Sequence, residues 1–240
     1  MADLLRGDWH VHSTFSDDAV STLEENVAAA AAAGLHDLRC VDHVRSSTTW
    51  VPDLVRAVRA LHVPEGLRLH TGVEAKLLDT AGAIDMPADL VLGEGGVDAV
   101  LLADHQVPTP DGPWSPRRTI EALADGLAAD DVLDWIVEAT VRAAHAVEGR
   151  GQIAHPFSIL PKIGLHEDDL GDERLARWAT GLASAGAIVE VNEKWACPGA
   201  AALHALDAAS VRVVASTDSH VASDVGRYDR VIGMLEERRA

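Results

Sequence analysis

Short apolar runs that end in a metal-capable side chain recur along this chain, and the recurrence limits the folds open to it. GDWHVH ends in His10 and His12, LRCVDH in His43, LRLHTGVE in Glu74, VDAVLLADH in His105, GQIAH in His155, and VRVVASTDSH in Asp218 and His220. Asp17 follows the first run closely. Runs of this length read as buried strands. Helix-like stretches alternate with them. STLEENVAAAAAAG has Thr22 or Ser21 as N-cap and Gly34 as stop signal, and VPDLVRAVRAL has Pro52 in its first turn. A long helical region is expected from about Pro116 to Glu148, and ERLARWATGLASAG and ACPGAAALHALDAA read as further helices on either side of AIVEVN. Only LLDTAGAIDMPADLVLGEGG is less regular. Seven strand–helix units with no linker between them predict one α/β domain over residues 1–240, a closed or nearly closed parallel barrel. An open doubly wound sheet is the alternative, but no GxGxxG or P-loop follows the first strand.

In such a barrel the C-terminal strand ends converge, so scattered ligands meet at one point. Side chains alternate along a strand, which turns His10 and His12 inward and Val11 toward the helices. Asp218 and His220 repeat that spacing around Ser219. The same alternation puts Asp8 on the face of His10, where a buried carboxylate orients an imidazole. It turns Asp42 and Asp104 the other way, as capping groups rather than ligands, and lets Glu190 and Asn192 share a face inside the barrel. Imidazole and carboxylate without thiolate suit zinc, manganese or iron. Nine donors are too many for one ion; shared among three divalent ions, with Glu74 as a bridge, they leave positions open for water and substrate. The remaining histidines, His36, His62, His70, His145, His166 and His204, read as surface or helix-packing residues.

Composition adds limits. A net charge of −18 counts against nucleic acid as a partner. The N-terminal residues hold no long apolar run, so neither a signal peptide nor a membrane span is expected. Two cysteines, Cys40 and Cys197, suit free thiols and a cytoplasmic location. Of 20 cationic residues only Lys76, Lys162 and Lys194 are lysines, and each follows a strand-like run. With Arg227 they are the candidate phosphate contacts; Arg45, Arg117 and Arg118 compete for that role. The proline-rich loop QVPTPDGPWSPRR is expected to form a wall or lid, with Trp114 available to cover a substrate, and Trp195 has the same two readings of cover or surface packing.

The motifs HVHSTFSD, VDH, GVE, ADH, AHP and STDSH together resemble those of the PHP (polymerase and histidinol phosphatase) family, over about Gly7 to His220. The resemblance implies a distorted (β/α)7 barrel whose trinuclear metal centre hydrolyses phosphate esters. It implies a small phosphorylated metabolite as substrate and inorganic phosphate as product. Carried over by motif, one ion takes His10, His12, Glu74 and Asp218, a second takes Asp17, His43 and His220, and a third takes Glu74, His105 and His155. His10, His12, Glu74, Asp218 and His220 form the catalytic core of that set. Asp18 stands where family members often have glycine, which leaves Asp17 and Asp18 as alternatives for one ligand. Such ions lower the pKa of water and offset the charge of the phosphate, so that hydroxide bridging two of them attacks phosphorus in line. No serine nucleophile in a GxSxG is present or needed. Competing readings are phosphodiester cleavage, a C–N hydrolase that would place a carboxylated lysine at a strand end, and a metal-binding domain without catalysis.

Overall fold

In a computed structural model, which describes residues 3–237, the apolar runs are parallel strands ordered around a barrel as they occur in the chain. β1 (Gly7–Val11), β2 (Asp37–His43), β3 (Arg68–Lys76) and β4 (Ala99–Ala103) are followed by a small antiparallel hairpin, β5 (Val107–Thr109) and β6 (Gly112–Trp114). β7 (Gly151–Ala154), β8 (Ile188–Asn192) and β9 (Arg212–Ser216) complete the barrel wall in the order β1-β2-β3-β4-β7-β8-β9. The outer helices are α1 (Leu23–Ala32), α2 (Val51–Ala60), α3 (Pro116–Ala124), α4 (Ala129–Ala146), α5 (Gly171–Ala185), α6 (Ala200–Ala208) and α7 (Asp229–Glu237). The architecture is the seven-stranded parallel barrel that the sequence predicts.

Local chemistry accounts for the helix boundaries. Thr22 caps α1, its hydroxyl accepting from Glu25 N while the Glu25 carboxylate accepts from Thr22 N. Gly34 follows at φ +72°, where a side chain is disfavoured. The long helix expected from Pro116 to Glu148 is two helices, broken after Ala124 by a turn that places Gly126 at φ +103°. Between β3 and β4 the chain runs without a helix, as its irregular sequence suggests.

The wall closes where β9 meets β1. His12 N donates to Ser219 O at 2.8 Å, and Val11 forms a parallel bridge with Ser219. Asp8 fastens the same seam. Its carboxylate accepts from Thr217 N at 2.9 Å, Thr217 Oγ1 at 2.6 Å and Gly226 N at 3.0 Å. Tyr228 donates to Gly7 O at 2.6 Å beside it.

One irregularity in β1 decides which side chains enter the barrel. Asp8 pairs with Leu38 and Val11 with Cys40, three residue steps against two, so β1 carries a β-bulge. Leu38, Cys40 and Val11 all belong to the apolar cluster under α1 and α2. Asp8 therefore lies on the helix side with Leu38. The expectation that it shares a face with His10 and orients an imidazole fails, because simple alternation does not run through a bulge. Trp9 and His10 both enter the barrel instead. Trp9 stacks on His70 at 4.8 Å between ring centroids, with the guanidinium groups of Arg39 and Arg212 at 4.8 and 5.2 Å from its ring. His70 also meets the Asp37 carboxylate at 2.8 Å, so it builds the barrel floor rather than an outer surface.

Above the floor the interior is small and apolar: Val41, Ala99, Leu101, Ala103 and Ala154 form a separate cluster. Gly72 belongs to this layer. A Cβ there would lie 3.2 Å from Arg39 Cδ, Leu101 Cδ1 and Val41 Cγ2, so a side chain at this position would press on the buried arginine and its neighbours by a few tenths of an ångström. The larger core lies outside, between the strands and α4, α5 and α6, around the fully buried Trp178. A plugged lower barrel and a packed outer layer leave the C-terminal rim as the place where polar side chains gather. Among the described residues no helix is long and apolar enough to cross a membrane.

Candidate metal centre

Most of the candidate ligands stand at or just past the ends of the strands. His10 and Glu74 lie within β1 and β3, and His43 is the last residue of β2. His12, His105, His155, Asp218 and His220 follow their strands by one to four residues. Two of them need unusual backbone. His155 sits at φ +30° and Asp218 at φ +53°, a left-handed region that costs energy for side chains other than glycine. Asp218 and His220 therefore reach the site through a turn, not through the strand alternation expected around Ser219. Strained backbone at two converging donors is a common mark of a working site.

Glu74 is the centre of the cluster. Its Oε2 lies 3.3 Å from both His10 Nε2 and His12 Nε2 and 2.9 Å from His43 Nδ1. Its Oε1 lies 3.0 Å from His105 Nε2 and 3.0 Å from His155 Nε2. One buried carboxylate thus divides five imidazoles between its two oxygens. Asp218 Oδ1 adds contacts at 3.3 Å to His12 Nε2 and 3.5 Å to His220 Nδ1. His10 Nε2 and His12 Nε2 face each other at 3.0 Å. Three groups of donor atoms are each compact enough to hold an ion: His12, His43 and His220; His10, His12 and Asp218; and His43, Glu74 and His105.

The second carboxylate of the first loop is Asp18. Its Oδ2 lies 3.3 Å from His43 Nε2 and 3.3 Å from His220 Nε2. Asp17 lines the same cavity but joins no ion pair among the described residues. The geometry favours Asp18 over Asp17, and the physical reason is the loop that carries them. Asp42 accepts from Ser13 N, Ser13 Oγ, Ser16 N and Ser16 Oγ at 2.7 to 3.1 Å, which bends residues 13–16 over β2 and turns Asp18 toward His43.

Asp42 and Asp104 do not join the donor atoms around Glu74, yet each reaches the cluster through a serine, and Asp104 Oδ1 also lies 3.6 Å from His155 Nδ1. Ser16 Oγ donates to Asp42 and lies 3.5 Å from His12 Nδ1. Ser158 Oγ donates to Asp104 at 2.8 Å and lies 3.0 Å from His155 Nδ1. The imidazole that sequence reasoning gave to Asp8 belongs to Glu190. The Glu190 carboxylate meets His10 Nδ1 at 3.1 and 3.2 Å and accepts from His155 N at 2.8 Å, Gln152 Nε2 at 2.7 Å and Asn192 Nδ2 at 2.7 Å. Arg39 donates to Gln152 from below. Gln152 and Arg39 were not singled out from the sequence; a glutamine and an arginine inside strand-like runs were the available signal.

Charges in the metal-free cluster are balanced by protons. Burial alone would lower the pKa of His10, but the carboxylates of Glu190, Glu74 and Asp218 raise it well above the ordinary value. His155 is likewise lowered by burial but carried up to about 10 by Asp104 and Glu74. Burial opposes ionisation of Glu74 and Asp218, yet the surrounding imidazoles hold both well below the usual carboxylate range. Burial and the neighbouring His12 lower His220, which leaves its nitrogens free of an extra proton near neutral pH.

The open side of the cluster is a cavity of about 300 Å³ lined by His43, Glu74, His105, Asp218 and His220 together with Arg45, Lys76, Lys194 and Trp195. Lys76 ends β3 and faces the cavity, where its ammonium meets Asp85 at 3.6 Å. A lysine does therefore end a strand, but it is paired with a carboxylate away from the imidazoles. Lys194 Nζ lies 3.5 Å from Asp218 Oδ1 and 3.2 Å from His220 Nδ1. Arg45 is exposed at the rim and forms no ion pair among the described residues. Lys162 and Arg227 line neighbouring cavities, not this one. Arg117 pairs with Glu121, and Arg118 covers Trp114, both on α3. Trp114 packs edge-on to Trp135 of α4 at 6.1 Å, so the hairpin is not a lid over the ligands. Trp195 takes the covering position, with its indole N–H on Asp218 Oδ2 at 2.8 Å.

Comparison with known proteins gives the family and the fold. The PHP domain profile matches residues 8–194. The chain belongs to the PHP family. A probable phosphatase of Acetivibrio thermocellus is 27% identical over 96% of this chain and 86% of its own length. Another from Caldanaerobacter subterraneus is 25% identical over 96% of this chain and 82% of its own length. Among solved structures, a histidinol phosphate phosphatase from Lactococcus lactis, complexed with zinc, L-histidinol and phosphate, superposes with a TM-score of 0.67. It is 16% identical and is covered to 93%, against 97% of this chain, so it supports the barrel fold. Family and relatives together make this chain an enzyme, a hydrolase of the phosphatase class.

Proposed function

We propose that the chain is a metal-dependent phosphomonoesterase acting on a small phosphorylated metabolite, with a metal site of the histidinol-phosphatase type. The observation that carries the reading is Glu74, whose two oxygens each serve a different set of imidazoles. A carboxylate shared in this way is the usual bridge between neighbouring divalent ions, and the chemistry of the donor set fits zinc, manganese or iron. One ion fits His10, His12, Glu74 and Asp218; a second fits His43, His220 and Asp18, with Asp17 the alternative carboxylate; a third fits Glu74, His105 and His155. When bound, such ions supply the Lewis acidity that activates water and offsets charge on the transferring phosphoryl group.

The remaining work falls to the chain itself. Glu190 and the Asp104–Ser158 pair hold His10 and His155 by their Nδ1 atoms and aim each Nε2 at Glu74. Arg45, Lys76 and Lys194 give the cavity a cationic rim in a chain of net charge −18. That rim attracts a dianion and positions its outer oxygens. The cavity, at about 300 Å³, is on the scale of small-molecule sites, which favours a metabolite over a polymer. The test is to load purified protein with each metal, count the ions, and assay a panel of phosphorylated metabolites with and without chelator. Two or more ions per chain with chelator-sensitive phosphate release are expected. A chain that holds fewer than two ions and releases no phosphate overturns the reading.

A further inference from the structure

Beside the metal cavity lies a second cavity of about 450 Å³, and Trp195 lines both. Phe157, Pro161, Ala196 and Ala200 give the second cavity apolar surface, and Lys162, Glu167 and Asp168 give it charge. Trp195 is a fixed partition between the two. Its backbone N–H donates to Asn192 Oδ1 at 2.9 Å and its indole N–H to Asp218 at 2.8 Å. An ester whose phosphate sits in the first cavity reaches this adjoining space over the edge of the Trp195 ring, the wall the two cavities share.

The charges of the second cavity are not equivalent. The Glu167 carboxylate is committed, with both oxygens 2.9 Å from Gly199 N at the start of α6. Asp168 is exposed at the outer edge. Lys162 differs from the other two lysines. Lys76 has Asp85 and Lys194 has Asp218, whereas Lys162 has no carboxylate partner among the described residues. Its ammonium rests 4.0 Å from the centroid of the Trp195 ring. An aromatic face holds a cation in place without consuming its capacity for an anion.

We propose that the second cavity receives the alcohol half of the substrate and that Lys162 is a specificity-determining residue there, so that the preferred esters carry a further anionic group, a carboxylate or a second phosphate. The inference rests on the phosphoesterase reading given above. The apolar walls take the carbon skeleton, and Lys162 meets the charge at its far end. A cationic alcohol would place like charges together over Trp195, and the committed Glu167 offers it little in return.

The experiment uses phosphate monoesters of matched four-carbon alcohols that end in a carboxylate, a phosphate, a hydroxyl or an ammonium group, with the manganese-loaded enzyme. At least one anionic ester should show kcat/KM about tenfold above the hydroxyl ester, the worth of one charge-assisted hydrogen bond. Lys162→Met should bring that ratio to about one, and Lys162→Arg should restore most of it. Equal rates for all four esters, a preference for the ammonium ester, or a ratio that survives Lys162→Met would each overturn the inference alone. Hydrolysis of none of the four by metal-loaded protein would overturn the phosphoesterase reading and this inference with it.

Discussion

Asp17 and Asp18 are neighbours with the same side chain, and only their contacts distinguish them. Asp18 reaches His43 and His220; Asp17 reaches neither. Asp18→Asn is therefore expected to remove one ion and lower kcat about a hundredfold, because even the supporting partners of metal ligands are worth 10–100-fold. Asp17→Asn should stay within about twofold, the behaviour of a solvated rim charge. Elemental analysis and initial rates on the two variants check this, and equal losses in both would return Asp17 to the ligand set. Glu190 poses a related case, since it is fully buried and touches no candidate ion directly. Glu190→Gln keeps its shape but loses the charge that holds His10 Nδ1. The expected result is about 10–100-fold weaker metal binding with the fold intact. Competition against a chelator and the far-ultraviolet circular dichroism of the same sample separate the two effects.

At the level of elements, the bulge in β1 does more than re-aim one side chain. It admits both Trp9 and His10 to the barrel and sends Asp8 to the seam, where that carboxylate joins β1 to the loop after β9. Removing it leaves three backbone N–H groups, His10 N among them at a long 3.5 Å, and a hydroxyl without their partner. Asp8→Ala should cost about 3 kcal/mol, and Asp8→Asn, which keeps an acceptor, clearly less. Denaturant melts of the metal-loaded variants measure the difference, and an equal cost for both would mean that burial rather than hydrogen bonding holds the seam. The bulge also marks where sequence reasoning stops. Apolar runs and their terminal ligands are legible because burial and metal chemistry each demand particular residue types, and the strand order follows from right-handed crossovers. The partners of those ligands are not legible in the same way. Strand alternation assigned Asp8 to His10, but one extra residue reversed the faces and left that role to Glu190, 180 residues away. Likewise the choice between Trp114 and Trp195 as cover turned on whether a loop folds back as a hairpin, which depends on long-range packing against α4.

For the whole molecule, the cluster trades protons for metal. Without ions, the carboxylates of Glu74, Asp218 and Glu190 are balanced by protons on His10 and His155. An imidazole whose folded pKa is raised stabilises the fold fully below its unfolded value, and that contribution is lost as pH rises through the folded value. For His155 the window runs from the ordinary value of 6.5 to about 10. The metal-free chain should therefore lose stability steadily from neutral pH upward. Bound ions must displace those protons, so the metal-loaded chain has no such loss to suffer. The gap in Tm between loaded and metal-free protein is expected to widen from pH 6.5 to pH 9. Calorimetric titration with metal in buffers of different ionisation enthalpy should show release of protons near pH 7.5. A gap that narrows with rising pH, or binding that releases no protons, would mean that the imidazoles are neutral in the metal-free chain. Charge on Glu74 would then have to be balanced from elsewhere. Of the cations on the rim, Lys76 and Lys194 are each already held by a carboxylate and Arg45 stands exposed with no ion pair to the cluster among the described residues, so the proton account is the one the contacts support.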